Sequence, residues 1–128
     1  PTVGYRIECD NSVLSYIPDH EPALGSGDFP NSSEWCSGYN IARNADLLMH
    51  DGQYSPEGYS TKIGWGHSSM EDAIDFARLS RVKKLILFHH DPLHSDATLD
   101  KMFDRSTENK KFDFELNLGR EKDTFILE

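Results

Sequence analysis

The stretch VKKLILFHHDPLHSD, residues 82–96, carries a short apolar run at 85–88 straight into His89, His90, Asp91 and His94, then into Ser95 and Asp96. An apolar run too short for a helix, ended by polar residues and followed by a Ser-Asp pair, reads as a buried strand, a turn and a helix start. Leu99, Met102 and Phe103 continue the helix at the expected spacing, and the charged stretch 104–111 is expected to fray from it.

The same alternation extends towards the N-terminus. SSMEDAIDFARLSRV, 68–82, places Met70, Ala73, Ile74 and Ala77 on one helical face, with Ser68 and Glu71 spaced as a capping box. ADLLMHDG, 45–52, is a second buried strand, and 54–67, YSPEGYSTKIGWGH, an irregular link with one helical turn. GYRIECD and SVLSYIPD, 4–10 and 12–19, flank the turn pair Asp10 and Asn11 and form a hairpin. FDFELN, 112–117, and TFILE, 124–128, are expected to close the chain as strands. Strands alternating with helices give an α/β fold, a mixed sheet with helices on one face. Residues 20–40 hold much of the Gly and Pro and little periodicity, which predicts a long loop or insertion.

Composition narrows the function classes. The chain has 128 residues, 37% hydrophobic and 27% charged, enough for one domain spanning 1–128. Thirteen Lys and Arg against 22 Asp and Glu give a formal charge of −9, which repels phosphate backbones and argues against broad nucleic-acid binding. Cys9 and Cys36 match no paired motif, which favours a reduced cytoplasmic setting. No apolar run approaches the ~20 residues of a membrane span.

Asp19, Asp51 and His89 each stand where a strand runs out, the place where α/β sheets gather ligands. A carboxylate and imidazoles from separate strands suit zinc, or manganese or iron if more oxygen ligands join. Each aspartate also has an ordinary reading as a turn or helix cap. The two-residue period of a strand sends His89 and His90 to opposite faces, so one of them faces the site. Gly64 and Gly66 allow a sharp turn that delivers His67 just before a helix. An HHD string also occurs in helical phosphohydrolases, but here it follows a β-favouring run.

The ordered set GYRIE, SYIPDHEP, ADLLMHDGQY, GHSSMEDAIDFA and VKKLILFHHDP, over residues 3–94, resembles the C-terminal half of metallo-β-lactamase-fold hydrolases, in the branch similar to ribonuclease Z and related phosphodiesterases. The resemblance implies half of an αββα sandwich with the first half missing. It also implies that Asp19 bridges two metal ions, that His89 is a ligand of one, and that His67 lies near the scissile phosphate as a catalytic residue. Asp51 supports the site, with His90 and His20 as further candidates behind the ligands. The implied cofactor is a pair of divalent transition-metal ions, zinc first, and the implied reaction is hydrolysis of a phosphodiester or similar ester by a metal-activated hydroxide. A small phosphodiester or nucleotide-like substrate fits the acidic charge. A lactonase or thioester hydrolase and a non-catalytic sensory or protein-interaction domain are the alternatives on this scaffold. The family signature HxHxDH is absent from the 128 residues. The chain is therefore expected to be one piece of a longer protein, inactive alone, whose uncovered sheet face meets the missing half, a complementary chain or a second copy.

Overall fold

Five strands form one sheet in the order β1-β2-β3-β4-β5, in a computed structural model that describes residues 2–127. β1 (Tyr5–Cys9) and β2 (Ser12–Ile17) are the expected hairpin, and Asp10 takes a positive φ of 52° in the tight turn. β3 (Leu47–Asp51), β4 (Lys84–Phe88) and β5 (Glu115–Leu118) then add in parallel, so the sheet is mixed.

Parallel addition requires crossovers, and these carry the helices. α1 (Tyr39–Ala42) precedes β3, while α2 (Pro56–Ser60) and α3 (Met70–Ser80) join β3 to β4. α4 (Asp96–Thr107) joins β4 to β5. Met70, Ala73, Ile74, Phe76 and Ala77 of α3 are buried against Leu48, Leu85 and Leu87 on one sheet face. Alternate strand residues point the other way, where Leu14, Leu47, Met49, Ile86 and Phe88 line a groove bordered by the tail residues Asp123, Thr124, Phe125 and Leu127.

Three local expectations are corrected. The α3 cap is Ser69, whose Oγ accepts from the Asp72 amide at 3.0 Å. Ser68 instead donates its hydroxyl to the His20 carbonyl at 2.5 Å, so the cap slides by one residue. α4 does not fray at 104 but runs to Thr107, whose hydroxyl donates to the Phe103 carbonyl at 2.8 Å. Residues 124–127 of the expected last strand form no strand and border the groove instead; Glu128 lies outside the described residues. Residues 20–32 contain turns only, followed by a 3-10 turn at Ser33–Trp35.

Candidate metal centre

β2, β3 and β4 are parallel neighbours, so the segments that leave their C-terminal ends share one edge of the sheet. Asp19 follows β2, Asp51 ends β3 and His89 follows β4. His67 arrives from a different direction, through the 61–69 link that ends at the N-terminus of α3.

Among the described residues, Asp19, His67 and His89 each offer a ligand atom within 4.8 Å of the others. His89 Nε2 lies 3.3 Å from Asp19 Oδ1, and His67 Nδ1 lies 3.9 Å from the same oxygen. The His67 and His89 rings stack with centroids 5.1 Å apart. All three are partly open to solvent. The donor types and spacing suit a divalent transition metal, and because His67 Nδ1 is engaged by Asp51, Asp19 and His89 are the pair left free to hold it.

His89 reaches this position through an unusual backbone. β4 ends at Phe88, and His89 itself has φ 59°, in the left-handed region. Strand alternation therefore no longer applies at 89–90; the left-handed residue is what separates the neighbouring rings. His90 points away, with Nε2 3.3 Å from the Gly119 carbonyl at the β5 side, and burial lowers its pKa. His94 belongs to the turn before α4, its amide donating to Asp91. Neither joins the cluster.

Asp51 stands directly behind His67. Its carboxylate is fully buried and accepts from His67 Nδ1 at 2.7 Å. The backbone amides of Gln53, His20 and Ser68 also donate to it, at 3.1, 3.3 and 3.4 Å. Burial raises the Asp51 pKa, and the bond and charge of His67 oppose that rise. With Nδ1–H committed to Asp51, the ring keeps its Nε2 for whatever occupies the cleft.

A second imidazole pair lies beneath. His50 Nδ1 is 2.7 Å from the Asp51 carbonyl, which can only accept, so this nitrogen carries the proton. The neutral His50 then accepts at Nε2 from His20 Nδ1, also 2.7 Å away. Burial holds the His20 pKa down at about 4 and that of His50 well below its ordinary value. Phe76 packs its ring 5.0 Å from each of them. The pair is thus an uncharged prop under the Asp51 peptide.

Glu21 gave no signal in the sequence reading. It is buried at 7% exposure, and its Oε1 accepts from the Gly64 amide at 2.7 Å and the Tyr59 hydroxyl at 2.8 Å, while Oε2 accepts from the Gly66 amide at 3.0 Å. Gly64 and Gly66 have φ of 86° and 88°, and that geometry turns both amides inward. Tyr54 is a further neighbour, its ring edge-on to His67 at 6.0 Å, with the Lys62 ammonium 4.5 Å above it. The two glycine amides, which need acceptors where they are buried, were the available clue.

No family model matches the chain. In sequence it is 49% identical over 49 residues to ribonuclease Z of Archaeoglobus fulgidus, a match covering 38% of this chain and 16% of that protein. It is 33% identical over 89 residues to ribonuclease Z of Thermoplasma acidophilum, covering 65% of this chain and 29% of that protein. The chain spans less than a third of the length of these curated relatives. In fold it matches the metallo-β-lactamase fold protein YhfI of Bacillus subtilis with a TM-score of 0.60 at 20% identity, over 90% of this chain and 40% of that one. The short form of human tRNase Z matches with a TM-score of 0.54 at 22% identity, over 70% of this chain and 30% of that one. Partial coverage of both solved chains agrees with a mixed sheet and helices that make up part of a larger sandwich. The chain is thus similar in sequence to part of ribonuclease Z, and its fold matches part of the metallo-β-lactamase fold.

Proposed function

We propose that this chain supplies one side of a metal-dependent hydrolase site that cleaves a phosphodiester. The observation that carries the reading is the His67–Asp51 contact of 2.7 Å, made by a fully buried carboxylate beside the Asp19–His89 pair. Asp19 and His89 would hold the divalent metal, zinc by donor type, with Asp19 shared between two ions when residues from outside this chain complete the ligand set. When bound, such ions lower the pKa of water and neutralise charge on the phosphoryl oxygens. His67 has the separate task of delivering a proton from Nε2 to the departing oxygen. Asp51 fixes the ring through Nδ1 and stabilises its protonated form, as a carboxylate does behind a catalytic imidazole. The −9 charge favours a small diester over a long polyanion.

The apolar outer face of the sheet supports a partner reading: a complementary layer, from the same protein or a second chain, covers Leu14, Met49 and Phe88. Among the described residues no helix is long and apolar enough to cross a membrane, and a cytoplasmic setting fits the two free thiols.

The test is leaving-group dependence in the intact, metal-loaded protein. His67→Ala is expected to slow hydrolysis of an alkyl phosphodiester by roughly 10²- to 10⁴-fold, to slow bis(p-nitrophenyl) phosphate far less because p-nitrophenolate departs without a proton, and to leave metal affinity unchanged. Equal losses on both substrates, or loss of the metal, would refute the proton-donor role. Full activity in Asp19→Ala or His89→Ala would refute the metal site.

A further inference from the structure

We infer that Glu21 is a positioning residue for His67, acting through the two glycine amides that bracket Trp65. This rests on the reading of His67 as the group that works on the substrate. Glu21 lies two residues past Asp19, so one tripeptide of the β2 exit holds opposite sides of the cleft. Asp19 meets His89, the His20 amide and carbonyl meet Asp51 and Ser68, and Glu21 grips the segment that ends in His67.

Few other backbone hydrogen bonds hold the link at 61–66. Its own backbone bonds are the Lys62 amide to the Tyr59 carbonyl at 2.7 Å and the Trp65 amide to the Lys62 carbonyl at 3.1 Å, both local. Gly25 and Gly27 lie close against Gly64 and Ile63, so packing braces the front of the loop, but a Cβ built on Gly66 would meet nothing within 4 Å, and its turn is left to hydrogen bonds. Trp65 is 68% exposed and contributes little packing. What fixes it is a carboxylate inside a concave set of donors, with both oxygens used and the Tyr59 hydroxyl sharing one of them. Hydrogen bonds to a charged acceptor are about twice as strong as neutral ones. The Gly66 bond is the last fixed point before His67, so the direction from which the imidazole meets Asp51 depends on it.

Glu21→Gln isolates that bond. A glutamine can turn its single oxygen to Gly64 and Tyr59, and its NH2 group then faces the Gly66 N–H, donor against donor. In NMR of the metal-free protein, the variant is expected to exchange its Gly66 and His67 amides at least ~10-fold faster than wild type, judged by the strength of the lost charge-assisted bond. The His67 Nδ1–H resonance disappears, and the core amides of Leu48 and Leu85 are unchanged. In the metal-loaded protein, kcat on an alkyl phosphodiester falls roughly 10- to 100-fold with KM little changed, the cost of a misplaced group. Tyr59→Phe, which removes one donor to Glu21 but neither glycine bond, is expected to keep the His67 resonance and to move the other readouts less than Glu21→Gln does. If Glu21→Gln does not fold, Glu21→Asp, one methylene shorter, is read the same way. The inference is overturned if the variant keeps the wild-type His67 resonance and Gly66 exchange, or if Tyr59→Phe reproduces the change. An intact wild-type protein, its ligand set complete, without diester turnover defeats the hydrolase reading, while the NMR arm still decides the role of Glu21.

Discussion

Lowering the pH from 7 to 5 should destabilise the protein through the buried imidazole pair. His20 titrates at about 4 in the folded chain against 6.5 for an unperturbed histidine. Its folded pKa is depressed, and for a base this means that the unfolded chain takes up the proton first. The contribution to stability is therefore intact above pH 6.5 and is lost as the pH falls from there towards 4. Taking 6.5 and about 4, the loss between pH 7 and pH 5 is about 2 kcal/mol, and its ceiling below pH 4 is about 3 kcal/mol. His50 shifts in the same direction and adds to it. Asp51, whose pKa burial raises, acts in the opposite sense, since its neutral form is favoured in the fold as protons are added. A difference measurement removes Asp51 from the comparison. Urea unfolding at pH 7, 6 and 5 in the presence of a chelator, on wild type and His20→Asn, gives the required slopes. Asparagine can still donate to His50 Nε2 but has no proton to gain. The wild type should lose about 2 kcal/mol more than the variant between pH 7 and 5. Identical slopes for the two proteins would refute the neutral, buried assignment of His20.

Three further outcomes follow from the packing. Gly38→Ala puts a methyl group 2.9 Å from the His20 ring at a φ of 74°, and should lower stability by about 2–3 kcal/mol in the same urea assay. Ser69→Ala should cost about 1 kcal/mol through loss of the α3 cap, whereas Ser68→Ala, beside His20 and Asp51, should also disturb the His67 resonance. On the outer sheet face, the chain is expected to associate in sedimentation runs, and Met49→Lys, which puts a charge into the apolar groove, should shift it towards monomer.

The elements of this fold were readable because their signals are local. The hairpin at Asp10 and Asn11, the α3 stripe and the apolar run before His89 each depend on residues within a few positions of one another. The convergence of Asp19 with His89 was readable from strand ends, since parallel neighbours bring those ends together. Glu21 was not, because its partners lie 38 to 45 positions away and nothing in Asp-His-Glu-Pro distinguishes a buried acid from a solvated one. Ser68 and Ser69 show the same limit at short range: both can cap a helix, and a distant carbonyl decides which one does. The left-handed conformation of His89 likewise has no signature in the residues around it.

That conformation sets folding and chemistry against each other at one position. A side chain with a Cβ held in the left-handed region costs on the order of 1 kcal/mol or more, and glycine relieves it. In a saturation library selected only for abundance, His89→Gly and His89→Asn should therefore be enriched over the parent. The same library selected for metal uptake should discard both.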